Sequence, residues 1–417
     1  MRILYVVHQF FPKWYTGTER FVLNLAKQMQ KMGHYVEVVT YGLGDDNGFS
    51  ANDDISIKKS NFENVPVTYL KYTVSDENLN FNIFNNKSNN LELFFKKYLE
   101  NGRFNLVHVG HPMRLGFGIK AASSLNLPIV LTLTDFWPMC PRGIAVTGRG
   151  ELCNNPRNGE ECVEKCFGDL WKDKLINRFE DAKELFLLVN SIVSPTDFLG
   201  KMYKNAFPFI NLMVVHYADD YKNIRFNSRR YSKDSELTLG FLSTLLPHKG
   251  AHVLLEAFNI SETKNIRLKI YGHYFTEKDY YECLVKKYNS KNIEFCGEYK
   301  YEDLSNILHE LDMIVVPSVW WENSPLVMLQ ALAHNVPAIV SDLGGMTEVI
   351  KDGVNGFTFK IGNAESLAKK LKLLSNDPTI LNELKAGIRH PPRIEESAFE
   401  YEKLYLRLVS RQISSVG

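Results

Sequence analysis

Residues Pro317 to Glu348 read PSVWWENSPLVMLQALAHNVPAIVSDLGGMTE. The apolar run just before them, Met313 to Val316, predicts a buried parallel strand. A polar turn follows, and then a helix start. Ser324 is placed to be the N-cap and Pro325 the first helical residue, where its missing N–H costs nothing. The N–H groups of Leu326 and Val327 are then unused donors at a positive dipole end, which suits an anion such as a diphosphate. Glu322 and Asn323 stand just before that end, and Gln330 lies eight residues after Glu322 on the helix. A carboxylate beside a phosphate pocket reads hydroxyls rather than the anion. The stretch therefore predicts a nucleotide-sugar site.

The remaining 385 positions have to house it, and a chain of 417 residues is long enough for two domains of about 200 residues each. A hydrophobic content of 45% with 23% charged residues is that of a globular protein. A formal net charge of +1 gives no general attraction to nucleic acid, so that partner is set aside. No apolar stretch approaches the ~20 residues of a spanning helix. The first residues, MRILYVVHQFFPKW, are not a signal peptide, because the apolar run is short and Pro12 interrupts it. A cytoplasmic chain is expected. Composition leaves open a local basic surface for peripheral membrane contact.

Taken in order, Ile3 to Val7 predict a central strand, and HQFFPKWYTGTER a loop carrying Gly17. A helix is expected from Glu19, with Phe21, Leu23, Leu25, Ala26 and Met29 as its apolar face and Gly33 at its end. Tyr35 to Thr40 complete a βαβ unit, which implies a right-handed parallel sheet. No G-x-G-x-x-G follows the first strand, so a dinucleotide-dependent dehydrogenase is disfavoured. Gly17 is either a turn residue or a point of close ligand approach. From Asp45 to Lys97 the pattern is weak, and Asn78 to Asn90 are expected in a loop.

Leu106 to Val109 and Ile129 to Leu133 read as further strands, with His111 and Asp135 at their C-terminal ends. Ligands bind at that edge of an open α/β sheet, although solvated loop groups are the plainer reading of both residues. Helix Trp171 to Leu188 and strands Ile192 to Ser194 and Met213 to His216 finish a domain at 1–217. The polar residues from Ala218 to Glu236, with Arg229, Arg230 and Lys233, read as a linker. A second domain, 237–395, repeats the rhythm with strands at Leu237 to Leu242, Leu268 to Tyr271, Ile293 to Cys296, Met313 to Val316 and Ala338 to Ser341. Lys249 sits in a loop before a helix, as a phosphate contact or simply a solvated lysine. A final helix over Phe399 to Leu408 lies within 396–417.

Cys140, Cys153, Cys162 and Cys166 follow a C-x12-C-x8-C-x3-C spacing in a segment rich in Gly, Pro and Asn. Such an insertion, 140–166, lacks apolar content to fold alone, and four thiols in a cytosolic chain point to metal more than to disulfides. Only the last pair resembles a zinc-ligand pair. A structural zinc therefore stands beside free thiols, disulfides and an iron–sulfur cluster.

Three stretches, YTGTERFVLNLAKQMQKMGHYVEVVT, FLSTLLPHKGAHVLLEAF and SVWWENSPLVMLQALAHNVPAIVSDLGGMTEVIKDGVNGF, resemble retaining glycosyltransferases of family 4. The resemblance implies the GT-B fold: two facing Rossmann-like α/β domains, the nucleotide on the C-terminal one, and a C-terminal helix returning to the first. The family's E-x7-E pair is Glu322 and Gln330 here. The resemblance places Glu322 against the donor sugar and residue 330 against the ribose, where a glutamine offers one acceptor oxygen and an amide donor. Lys249 matches the family's phosphate-binding lysine, while Ser243 occupies the usual arginine position. Thr134 stands where many members have histidine, and Asp135 remains. A sub-branch with a D-F-W-x-x-C-P-R-G run shares the cysteine segment.

The implied function is transfer of a sugar from a nucleotide diphosphate donor to a glycan or lipid-linked glycan, with retention and in cell-surface polysaccharide synthesis. Lys249, Leu326 and Val327 would meet the departing phosphate, Glu322 the sugar, and His111 and Asp135 the acceptor side, with Asp135 also a catalytic candidate. No D-x-D carboxylate pair is present, so no catalytic metal is expected. A nucleotide-sugar isomerase of similar architecture and a non-catalytic sugar-nucleotide binding protein are the rival readings.

Overall fold

The computed structural model describes every residue except 43–47, 53–54, 74–80, 85–88, 222–223, 275–276 and 417. Most of the loop expected over Asn78 to Asn90 lies outside the described residues. The chain divides into two compact units, Met1–Ala218 with Arg393–Gly417, and Asp219–Pro392.

In the first unit β1 (Arg2–Val7), α1 (Gly17–Lys31) and β2 (Tyr35–Tyr41) form the expected βαβ element. Strands β3 (Ser50–Asn52), β4 (Ile55–Phe62), β5 (Val65–Lys71), β6 (Leu106–Val109), β7 (Ile129–Thr132), β8 (Ser191–Ser194) and β9 (Leu212–Val214) extend it. The sheet order is β3-β4-β5-β2-β1-β6-β7-β8-β9. Every pair from β5 to β9 is parallel, and β3 and β4 add an antiparallel edge. Ile3 to Val7 are buried, as a central parallel strand covered on both faces requires. The order reverses between β1 and β6, which makes their C-terminal ends a topological switch point.

The C-terminal helix, Ile394–Val416, belongs to this unit and is longer than its apolar pattern suggests. Tyr401 and Tyr405 are buried on it. The Tyr401 hydroxyl meets Thr132 Oγ1 at 2.9 Å, and Tyr405 is hydrogen-bonded to His108. At the helix surface Glu402 pairs with His34 Nε2 at 2.7 Å.

The second unit is a parallel sheet of β10 (Leu237–Leu242), β11 (Ile266–Tyr271), β12 (Ile293–Gly297), β13 (Met313–Val316), β14 (Ala338–Ser341) and β15 (Gly356–Phe359). Its order is β12-β11-β10-β13-β14-β15, with all pairs parallel. The switch point falls between β10 and β13. The stretch read as a linker, from Asp219 onward, is part of this unit. Arg229 makes a forked pair with Asp312 at 2.9 Å to each oxygen, and Tyr231 donates to Asp312 at 2.8 Å. Asn227 Nδ2 donates to the Leu311 carbonyl at 2.7 Å. Polar composition marked the segment as exposed, but these side chains tie it to the start of β13.

Candidate active site

Two loops leave the C-terminal ends of β10 and β13 at the switch point of the second unit. The first carries Ser243 and then the single turn Pro247–Lys249. Gly250 ends that turn in the left-handed region, φ 75°, where a Cβ would come within 1.9 Å of the Pro317 carbonyl oxygen. Glycine thus allows the first loop to lie against the second, and Val319 N–H closes the contact on the His248 carbonyl at 2.9 Å.

That contact brings Lys249 and Glu322 together. Lys249 Nζ lies 2.7 Å from Glu322 Oε1, and the same oxygen accepts from Ser318 Oγ at 2.8 Å and Trp320 Nε1 at 2.7 Å. Among the described residues Oε2 takes no hydrogen bond, so it is left as an acceptor. Burial alone would raise the Glu322 carboxyl, but the Lys249 charge and these three donors outweigh it and hold it below the usual range. Lys249 also lies over the Trp320 ring, 4.5 Å from its centroid. The neighbouring His248 imidazole is pushed down to about 4 by burial and then by Lys249, with Glu322 opposing. The Glu322 backbone is fixed by Gly345, whose N–H donates to its carbonyl at 2.9 Å. Gly344, φ 63°, passes so close that a Cβ would stand 2.4 Å from that oxygen.

The helix after this loop begins one residue later than the sequence suggests. Pro325 has an extended ψ of 118°, so the helix is Leu326–Ala333 with Pro325 as its N-cap and no side-chain cap. The Pro325 carbonyl accepts from Met328 N–H at 3.0 Å. Ser324 therefore is not the N-cap. The N–H groups of Leu326 and Val327 nevertheless make no hydrogen bond among the described residues, as expected of a helix start. Asn323 is buried beside Glu322. The backbone of Ser243 donates to the Tyr271 carbonyl at 3.2 Å. Gln330 is buried, and its amide donates to Asp219 and Tyr301.

In the first unit, Gly17 is exposed as the first residue of α1, with nothing within 4 Å of a would-be Cβ. No left-handed turn requires it, so the turn reading loses its basis. The helix starts two residues before Glu19, because Glu19 Oε2 accepts from Thr16 N–H at 2.7 Å and Thr16 Oγ1 at 2.6 Å. At the switch point His111 Nε2 lies 3.1 Å from Asp135 Oδ2, while His111 Nδ1 accepts from Met113 N–H at 3.2 Å. Asp135 Oδ1 accepts from Trp137 N–H at 2.8 Å. Thr134 Oγ1 donates to the Gly110 carbonyl at 3.1 Å, a structural tie.

Cys140, Cys153, Cys162 and Cys166 all line one small cavity. All are free thiols, and burial first of all pushes Cys153 up to about 11 and Cys162 up to about 12. Four sulfurs are a donor set that zinc accepts. Among the described residues, however, no group of three or more His, Cys, Asp or Glu is arranged to hold a metal ion.

Residues 15–209 match the model of Glycosyltransferase Family 4, and residues 222–390 that of Glycosyl transferases group 1. Each unit thus matches the model of a glycosyltransferase domain over most of its length. A phosphatidyl-myo-inositol mannosyltransferase of Propionibacterium freudenreichii is 21% identical over 373 residues, 87% of this chain and 83% of the relative. A lipopolysaccharide 1,2-N-acetylglucosaminetransferase of Salmonella typhimurium is 28% identical over 201 residues, 44% and 53% of the two chains. An uncharacterized glycosyltransferase of Methanocaldococcus jannaschii is 33% identical over 138 residues, 33% and 35%. The chain thus spans between about a third and about half of the length of several curated relatives it matches. Among solved structures, sucrose-phosphate synthase of Thermosynechococcus elongatus has a TM-score of 0.72 at 16% identity, covering 98% of this chain and 99% of its own. HepE of Anabaena with UDP and glucose has 0.67 at 15%, covering 96% and 98%. The fold is GT-B.

Two residues of the first unit escaped sequence reading. His8 directly follows β1, and its ring lies 4.0 Å from that of His111. Glu19 is fully buried, with Oε1 4.0 Å from His8 Nε2. Burial, with His111 and Arg114, holds the His8 imidazole well below its usual value, and burial raises the Glu19 carboxyl. The signal for His8 was the one that singled out His111, a polar residue ending a buried strand. Glu19 read only as the opening of a helix.

Proposed function

We propose that the chain transfers a sugar from a nucleotide diphosphate donor to a hydroxyl of a glycan acceptor, with retention at the anomeric carbon. The observation that carries this reading is the Lys249–Glu322 pair, which leaves Glu322 Oε2 as a hydroxyl acceptor at the sheet's switch point. Leu326 and Val327 add unused N–H donors on the same loop. Negative charge grows on the departing diphosphate in such a transfer, and a cation and oriented amides stabilise it more in the transition state than before. Glu322 orients the donor sugar, with Asn323, Ser324 and Ser243 completing the pocket. Gly17, in the first unit, is the candidate for close backbone approach to a ligand.

His111 and Asp135 serve the acceptor. With His111 Nδ1 accepting from Met113 and Nε2 facing Asp135, both ring nitrogens are engaged by the protein. Asp135 in turn is held by two donors. The pair orients a hydroxyl rather than deprotonating it. The names of the relatives, a lipopolysaccharide N-acetylglucosaminetransferase and a phosphatidyl-myo-inositol mannosyltransferase, support a cell-surface glycan or lipid-linked acceptor; a cytoplasmic setting with peripheral contact at the membrane's inner face is part of the proposal. No helix of the described residues is long and apolar enough to cross a membrane. A structural zinc at the four clustered cysteines, which line one cavity but do not stand arranged for a metal, is the accompanying proposal.

A panel of nucleotide-sugars incubated without acceptor tests the reading. Slow release of free nucleotide supports it. Epimer formation would indicate an isomerase, and binding without turnover a non-catalytic module. Flotation with anionic vesicles tests the membrane contact.

A further inference from the structure

Trp320 touches both members of the Lys249–Glu322 pair. Its Nε1–H donates to Glu322 Oε1 at 2.7 Å, and the Lys249 ammonium lies 4.5 Å from its ring centroid. The indole is itself held: the His248 ring meets it in a T-shaped contact at 4.8 Å, and the Val319 N–H just before it donates to the His248 carbonyl at 2.9 Å. An indole has an electron-rich face and an N–H at its edge, so one side chain can hold a cation and a carboxylate together. The two holds leave different groups free. Lys249 Nζ carries several N–H donors, and among the described residues Glu322 Oε1 is its one hydrogen-bond acceptor. The ring face attracts the charge without adding a competing acceptor oxygen, so N–H groups remain for an anion. Glu322 Oε1, by contrast, is shared among Lys249, Ser318 and Trp320.

We infer that Trp320 is a positioning residue that lets one lysine serve two partners. Its face keeps Lys249 in place, and its N–H keeps the Glu322 carboxylate oriented once Lys249 has turned to a diphosphate. The inference rests on the donor-site reading above. Without the indole N–H, a departing Lys249 would leave Ser318 as the one donor on Oε1, and a carboxylate held by a single hydroxyl can swing. Without the face, Lys249 would have to be ordered by the ligand itself, which costs affinity. Trp320 acts through these two neighbours, and no contact with the ligand is required of it.

Substitution separates the two holds. Trp320→Phe keeps a face and removes the N–H, whereas Trp320→Leu removes both. UDP, ADP and GDP are titrated by calorimetry, and turnover is read with the nucleotide-sugar from which wild type releases nucleotide fastest. Trp320→Phe is expected to leave nucleoside diphosphate affinity within about twofold while turnover falls about tenfold or more, the worth of a hydrogen bond to a charged group. Trp320→Leu is expected to show the same turnover loss and, in addition, an affinity loss of about two- to fivefold, the worth of the cation–π contact. In a Lys249→Met background the leucine is expected to cost no further affinity, which a general loosening of the loop would not reproduce. Tm confirms that each variant is folded. Undiminished turnover in Trp320→Phe, equal affinity losses in the Phe and Leu variants, or the same loss with and without Lys249 would overturn the inference and leave the donor site standing. If wild type binds none of the three nucleotides, the donor-site reading fails and the inference with it. Binding without turnover would end its Glu322 half.

Discussion

Lys249 Nζ and Glu322 Oε1 lie 2.7 Å apart across 73 residues of sequence, joining the loops that leave two neighbouring strands. The lysine charge is thus held by a carboxylate before any phosphate arrives. A ligand must share it or replace that partner.

Lys249→Met removes the charge and is expected to weaken nucleoside diphosphate binding about ten- to a hundredfold, the range of a charge-assisted hydrogen bond. Glu322→Gln is expected to leave UDP or ADP affinity within about threefold while turnover of the nucleotide-sugar falls at least tenfold, because the carboxylate serves the sugar. Titration and initial rates check this. Equal losses for nucleotide and nucleotide-sugar in both variants would refute the division of labour.

Gly344→Ala places a Cβ against the Glu322 carbonyl in a left-handed conformation. A loss of about 1–3 kcal/mol in unfolding free energy is expected, with turnover falling alongside. Gly17→Ala meets open space and is expected to leave stability within about 0.5 kcal/mol while donor affinity falls. Chemical denaturation separates the two. A stability loss at Gly17 comparable to that at Gly344 would show that glycine there is structural.

Acid is expected to weaken the fold before carboxylates titrate. Burial pushes His108 down to about 3 from an ordinary value of 6.5. Between those values the unfolded chain binds a proton that the native chain does not, so the stability is full above about pH 6.5 and falls as pH drops. The slope for this residue is ~1.4 kcal/mol per pH unit. Urea midpoints from pH 8 to 4 measure it, and His108→Gln is expected to flatten the profile. An unchanged slope in the variant would remove His108 as the cause.

If zinc is held by Cys140, Cys153, Cys162 and Cys166, the purified chain carries about one zinc, and their thiols react only after chelation. Elemental analysis with thiol titration decides it. Four thiols reactive at once in zinc-free protein would end the proposal.

Much of the fold was legible because parallel strands announce themselves as short apolar runs: Ile3 to Val7, Leu237 to Leu242 and Met313 to Val316 all lie where read. Strands β3 to β5 were not, since an antiparallel edge such as ISIKKSNF leaves Lys59, Ser60 and Asn61 exposed in a row and shows neither an apolar run nor an alternation. At the site, Glu322 and Lys249 were visible through motif spacing. Their mutual contact was not, because it depends on Gly250 passing under Pro317. The partners of Gln330 were equally hidden: Asp219 sat in a stretch whose polarity read as linker, and Tyr301 in a surface turn. Ser324 was misplaced by one residue because Pro325 adopts an extended ψ, which no propensity reveals.

The second unit is a single continuous piece, whereas the first is assembled from two, Met1–Ala218 and the residues from Arg393 onward. Synthesis order and completion order therefore differ. Residues 219–392 have all emerged before the sheet that began the chain receives Tyr401 and Tyr405 against His108 and Thr132. The unit made first is the one finished last, and a chain stopped at Pro392 would have a whole second unit beside an unfinished first.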